Sequence, residues 1–236
     1  MSAVRIAPRE RLIVALDVPD AGQARALVGR LGNAACFYKV GLELLTSGGS
    51  FELIRWLSAE GNRVFADFKF FDIPETVRRA VANLQGRGVT FATVHGSRPI
   101  MRAAASAKGQ VQILAVTVLT SMGPQELGEL GYAGTMEELV LACARSALEC
   151  GCDGVIASGV EAPMLKAEFG EQLLIVTPGI RQAGQAAGDQ QRTVDPAQAF
   201  RNGADYIVVG RPIRDDPDPR RAAERIQQTI AGCFPA

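Results

Sequence analysis

The sequence predicts an α/β chain folded as a (β/α)8 barrel. Eight short apolar, mostly β-branched runs recur along it, helical patterns separate them, and 236 residues are an ordinary length for one such barrel. The runs occupy 12–17, 37–41, 63–69, 91–95, 112–119, 154–158, 173–179 and 206–210. They do not alternate strictly between apolar and polar. Continuous apolar character is what strands covered on both faces require, as in a parallel sheet.

The helical patterns follow in order. Asp20 is a good N-cap, and Ala24, Leu27, Val28 and Leu31 then repeat at helical spacing. Leu53, Ile54 and Leu57 mark a helix over 51–59. Pro74 sits in a first turn, ahead of Val77, Ala80, Val81 and Leu84. Helices are also expected over 137–150, 160–169, 195–202 and 218–233. Strand–helix alternation implies parallel βαβ units, and an open doubly wound sheet is the competing architecture. No linker or composition shift divides the chain, so residues 1–236 are expected to form one domain.

Composition excludes some classes of function. With 47% hydrophobic residues the chain can bury a sizeable core. Lys plus Arg and Asp plus Glu both number 25, so no net field favours nucleic acid or an anionic membrane. An odd five cysteines in a chain of this size read as free thiols, and a lone Cys-Gly-Cys with one histidine does not make a zinc site. The first eleven residues lead into no signal-type apolar segment, and no run approaches the ~18 residues of a membrane span. The expectation is a soluble cytoplasmic protein.

Polar residues collect at the ends of the strands where barrel sites lie. Asp17 ends the first run, Lys39 lies in the second, and Asp67 and Lys69 end the third. Alternation points Asp67 and Lys69 to one face, where burying two charges is costly without a partner or a purpose. Asp72 lies beyond the strand, and alternation does not place it. His95 ends the fourth run, and Thr117, Thr120 and Ser121 accompany the fifth. Arg181 and Arg211 follow the seventh and eighth beside Gly179 and Gly210. Glycine lets backbone N–H groups come close and arginine gives a forked cation, which suits a phosphate. The plainer alternative is an ion-pair network in a barrel mouth, with glycines that only shape turns. The opposite strand ends look less heavily loaded.

Taken in order, these markers resemble the orotidine 5′-phosphate decarboxylase family. They are Leu16-Asp17, Tyr38-Lys39-Val40-Gly41, Asp67-Phe68-Lys69-Phe70-Phe71-Asp72-Ile73-Pro74, Val94-His95, the run from Thr117 to Ser121, Pro178-Gly179-Ile180-Arg181 and Val209-Gly210-Arg211-Pro212-Ile213. The resemblance implies decarboxylation of orotidine 5′-monophosphate to UMP and CO2, with no metal or organic cofactor. It implies that Lys69 protonates C6, that Asp67 lies beside the departing carboxylate, and that Lys39 and Asp72 complete an alternating charge chain. Asp17 and Lys39 would bind the ribose and Thr120 the base. Gln190, Gly210 and Arg211 would hold the phosphate with Arg181 close by, and Thr76 joins the substrate-binding set. It also implies a homodimer in which Asp72 serves the neighbouring subunit. Gln191 stands where the family commonly has lysine, and Asp195 where it has threonine. The glutamine- and glycine-containing stretch 182–193 reads as a lid that brings Gln190 onto the phosphate. A metal-dependent sugar-phosphate barrel enzyme and a catalytically silent phosphate sensor are the competing readings.

Overall fold

A computed structural model describes residues 6–181 and 192–234. Eight strands, β1 (Leu12–Ala15), β2 (Phe37–Val40), β3 (Arg63–Phe70), β4 (Val89–Val94), β5 (Gln112–Val116), β6 (Gly154–Ile156), β7 (Leu174–Thr177) and β8 (Tyr206–Val209), pair in parallel with their sequence neighbours. β8 then pairs with β1, Ile207 beside Leu12 and Val209 beside Val14, and the sheet closes. This closure excludes the open-sheet alternative.

Eleven α-helices connect the strands among the described residues: α1 (Ala21–Leu31), α2 (Leu42–Thr46), α3 (Ser50–Ala59), α4 (Pro74–Ala82), α5 (Arg98–Ser106), α6 (Pro124–Glu129), α7 (Met136–Glu149), α8 (Ala162–Phe169), α9 (Pro196–Arg201), α10 (Arg211–Arg214) and α11 (Pro219–Cys233). Side chains cap several of them. Asp20 accepts from Gln23 N–H at 2.8 Å, Asp195 from Gln198 N–H at 2.8 Å and Asp218 from Arg221 N–H at 3.0 Å. Thr135 and Glu138 form a reciprocal capping box on α7. The short α2, α6 and α10 and the alanine-rich α5 are absent from the expected set. In α5 the buried face is Ile100, Met101 and Ala104, too slight an apolar stripe to stand out. Several strands stop short of the expected runs; in the fifth, Val118 is buried beyond Val116, the last paired residue.

Alternation along each strand sorts side chains into two cores. One fills the space between strands and helices. The other fills the barrel with Ile13, Phe37, Phe65, Phe91, Leu114, Val176 and Tyr206, among others. The rings of Phe91 and Tyr206 meet edge-on at 5.1 Å, and Phe37 lies 5.2 Å from Phe91. Beneath them the Arg63 guanidinium covers the Phe37 ring at 4.7 Å and pairs with Glu10 at 2.9 Å.

The lower rim is therefore more charged than the sequence reading expected. Two further pairs there follow one design. Asp153 precedes β6 and Asp205 precedes β8. Each carboxylate accepts a backbone N–H from the preceding strand, Ile113 and Ile175 respectively, at 2.8 Å. Each also meets a lysine, Lys108 at 2.8 Å and Lys166 at 3.2 Å. These charges are spent on backbone and on one another, which fits stability rather than catalysis. All five cysteines are free thiols, and no helix among the described residues is long and apolar enough to cross a membrane. Asp205→Ala leaves the buried Ile175 N–H without its acceptor. It is expected to lower the unfolding free energy by about 1–3 kcal/mol in a urea titration and leave kcat unchanged.

Candidate active site

The same alternation that fills the barrel places charge at its mouth. On β1 the inward series Ile13 and Ala15 continues to Asp17. On β2 Phe37 is followed by Lys39, and on β3 Phe65 is followed by Asp67 and Lys69. The four ends meet in a line. Lys39 Nζ lies 2.8 Å from Asp17 Oδ1 and 3.5 Å from Asp67 Oδ2, and Lys69 Nζ lies 2.9 Å from Asp67 Oδ1. Burial alone would push the Lys39 ammonium toward neutrality, but the charges of Asp67 and Asp17 outweigh it and raise the pKa. Burial would likewise raise Asp67, yet Lys39 and Lys69, with hydrogen bonds from Lys69 and Thr93, hold it below the usual carboxylate range. Both groups are charged at neutral pH.

Two local features make this approach possible. Gly41 has an ordinary φ of −102°, so conformational freedom is not its reason. A Cβ there would stand 2.9 Å from Lys39 Nζ and 3.1 Å from Asp17 Oδ1, in the space the ion pair needs. The second feature is a bulge. Ala66 pairs with Ala92 and the next pair is Phe70 with Val94, so Asp67, Phe68 and Lys69 face Thr93 alone. Lys69 absorbs the excess with φ of 47°, the only left-handed non-glycine residue among those described. Simple alternation anticipates the Asp67–Lys69 contact but not this backbone.

A cavity of about 620 Å³ opens above the charges. Asp17, Lys39, Asp67 and Lys69 line one side, and Thr120, Arg181, Gly210 and Arg211 also line it, as expected from the sequence. Phe65, Val116, Ile156 and Val208 give it an apolar floor, a composition suited to a small planar ligand with polar ends. Gly210 is not demanded by packing, since a Cβ there would meet only ordinary contacts at 3.6 Å or more. Its bareness leaves backbone open to the cavity.

Arg214 is a lining residue that sequence reasoning missed. Its guanidinium donates to the Asp17 carbonyl at 2.6 Å and to the Asp215 carboxylate at 2.6 and 3.0 Å. Also missed is Arg192, which pairs with the buried Glu161 and donates to the Leu119 carbonyl at 2.8 Å, fastening the chain after residue 191 to the loop that bears Thr120. Arg214 lies just past the motif 209–213, and Arg192 sits beside Gln191 in the expected lid, with no role expected of it from the sequence.

Asp72 and Thr76 do not line this cavity. Asp72 is exposed, accepts from Ile73 N–H at 2.6 Å, and borders a shallow depression with Phe71 and Pro99. His95 lies against the Phe71 ring at 5.6 Å. Burial and then the charge of Lys69 lower its pKa. Gln190 and all of the expected lid except Arg192 and Thr193 fall outside the described residues.

Comparison with known proteins places the constellation. Residues 10–226 match the model of the "Orotidine 5'-phosphate decarboxylase / HUMPS family". The chain is 57% identical over 228 residues to a protein named orotidine 5′-phosphate decarboxylase from Methylococcus capsulatus, covering 96% of this chain and 94% of that one. It is 49% identical to the protein of that name from Nitrobacter winogradskyi, with 94% and 93% covered. The crystal structure of orotidine 5′-phosphate decarboxylase from Lactobacillus acidophilus superposes with a TM-score of 0.83 at 35% identity, covering 94% of this chain and 99% of that one. A charge line on β1 to β3, arginines after β7 and β8, and similarity along nearly the whole length lead to one conclusion: the chain belongs to the orotidine 5′-phosphate decarboxylase / HUMPS family.

Proposed function

We infer that this chain decarboxylates orotidine 5′-monophosphate to UMP and CO2, the reaction named for its relatives, and that Lys69 delivers the proton. One observation carries the reading: the unbroken line Asp17–Lys39–Asp67–Lys69 along one side of a cavity that Arg181 and Arg211 also line. The substrate phosphate goes to Arg181, Gly210 and Arg211, joined by Gln190. The ribose hydroxyls meet Asp17 and Lys39, and the base reaches Thr120.

Breaking the bond between C6 and its carboxylate leaves an electron pair on C6 with no adjacent carbonyl to accept it. The environment must stabilise that charge and then quench it. The Lys69 ammonium does both, as a fixed positive charge and as the donor of the proton that C6 receives. Asp67 holds the Lys69 ammonium at 2.9 Å and lies beside the departing CO2. Repulsion between Asp67 and the substrate carboxylate is a secondary contribution. Phosphate binding far from C6 lowers the barrier by orienting the base over the charges.

Asp72 acts on a second copy of the chain, and Thr76 belongs to the substrate-binding set. Phe71 and Ile73, 68% and 67% exposed on either side of Asp72, form an apolar edge suited to burial in a homodimer. No cofactor takes part: Lys39 already bridges Asp17 and Asp67, where a bound cation would otherwise sit. Five free thiols fit a reducing compartment, the cytoplasm.

Three outcomes are expected. Loss of orotidine 5′-monophosphate, followed by ultraviolet absorbance, proceeds with the wild-type chain and is unaffected by EDTA. Inhibition by the chelator favours the metal-dependent alternative. Lys69→Ala abolishes turnover but remains folded and binds UMP; near-wild-type turnover contradicts the role given to Lys69. Mixing inactive Lys69→Ala with inactive Asp72→Ala restores activity, to about a quarter of wild type after random reassortment, since each heterodimer then holds one complete site. No recovery, with exchange of subunits demonstrated, places Asp72 in its own protomer's chemistry.

A further inference from the structure

The bulge on β3 leaves the Lys69 N–H opposite no ladder carbonyl. It donates instead to the Thr93 hydroxyl at 2.9 Å. That hydroxyl lies 2.9 Å from Asp67 Oδ1. A carboxylate only accepts, so the single hydroxyl proton points at Asp67 while the oxygen lone pairs face Lys69. Thr93 is fully buried, and its own chain neighbour Val94 is the pairing partner of Phe70. One side chain thus closes a ring that runs from the Lys69 backbone through Asp67 to the Lys69 ammonium.

Resting on the role given above to Lys69, we propose that Thr93 is a positioning residue for decarboxylation, its hydroxyl holding both the left-handed backbone of Lys69 and the carboxylate that aims the Lys69 ammonium. A non-glycine residue at φ of 47° persists only where its surroundings over-determine it. Here the surroundings are the Phe70–Val94 pair on one side and the Thr93 hydroxyl on the other. Without the hydroxyl the Lys69 N–H loses its acceptor, Asp67 loses a donor, and both ends of the Lys69 side chain gain freedom. Contacts to phosphate and ribose come from other strands and remain.

The test compares Thr93→Val, which keeps shape without the hydroxyl, with Thr93→Ser, which keeps the hydroxyl without the methyl. Lys69→Ala is assayed beside them. Thr93→Val is expected to lower kcat on the order of 10- to 100-fold, with KM and UMP affinity within about threefold of wild type. Thr93→Ser is expected within about threefold of wild type in kcat. Should Thr93→Val fail to fold, Thr93→Ala against Thr93→Ser gives the same comparison. Equal losses in the hydroxyl-retaining and hydroxyl-lacking variants, or UMP affinity falling as far as kcat, overturn the proposal in favour of plain packing. If Lys69→Ala is inactive while Thr93→Val turns over normally, the Thr93 inference alone fails. If Lys69→Ala is active, the catalytic reading fails and this inference with it.

Discussion

Lys39 is buried at the mouth of a barrel whose interior is otherwise apolar, and an ammonium there is tolerable only between carboxylates. Asp17 and Asp67 supply them, and Asp67 in turn requires Lys69. Lys39 and Asp67, the two buried members, are kept charged by their neighbours. The remaining geometry serves this line. Gly41 vacates the space beside Lys39, the bulge brings Lys69 back toward Asp67, and the closed sheet supplies adjacent strands at a common height. Charges held this way need no rearrangement when charge appears on a ligand, and such preorganisation is where electrostatic catalysis gets most of its effect.

Much of the barrel was legible because burial on both faces leaves an unmistakable apolar strand, and because caps such as Asp20 and Asp218 announce their helices. Helix α5 escaped because its buried face is only Ile100, Met101 and Ala104, little more than one turn of pattern. The apolar runs overshoot the strands because a residue such as Val118 is buried beyond the last paired position. In the site, Asp17, Lys39, Asp67 and Lys69 stood out as charges at the ends of apolar runs. Thr93 did not, since a β-branched residue inside a strand is what a strand normally contains. The bulge was hidden for a related reason: register is a relation between two strands, and no single run of residues displays it. Asp72 could not be placed by alternation, and within one chain it stands outside the cavity.

The two rims of the barrel use similar residues for different ends. Below, Arg63, Asp153 and Asp205 are engaged by rings, backbone N–H groups and lysines. Above, charge is arrayed around open volume. Barrels generally divide stability and chemistry in this way. In this chain Asp153 and Asp205 each accept a backbone N–H as well as a lysine at the bottom, whereas Asp17 and Asp67 at the top share the ammonium of Lys39.

Closure of the sheet also decides where the site is assembled in the chain. The charge line comes from β1, β2 and β3, whereas the arginines of the cavity follow β7 and β8. Only the β1–β8 seam brings the two groups together, with Arg214 reaching the Asp17 carbonyl across it and Gly210 lying close to the Asp17 carboxylate. A folding intermediate holding seven strand pairs but lacking that seam would contain every charged residue of the site and no site. That seam is thus the contact that joins the charge line and the arginines in one cavity.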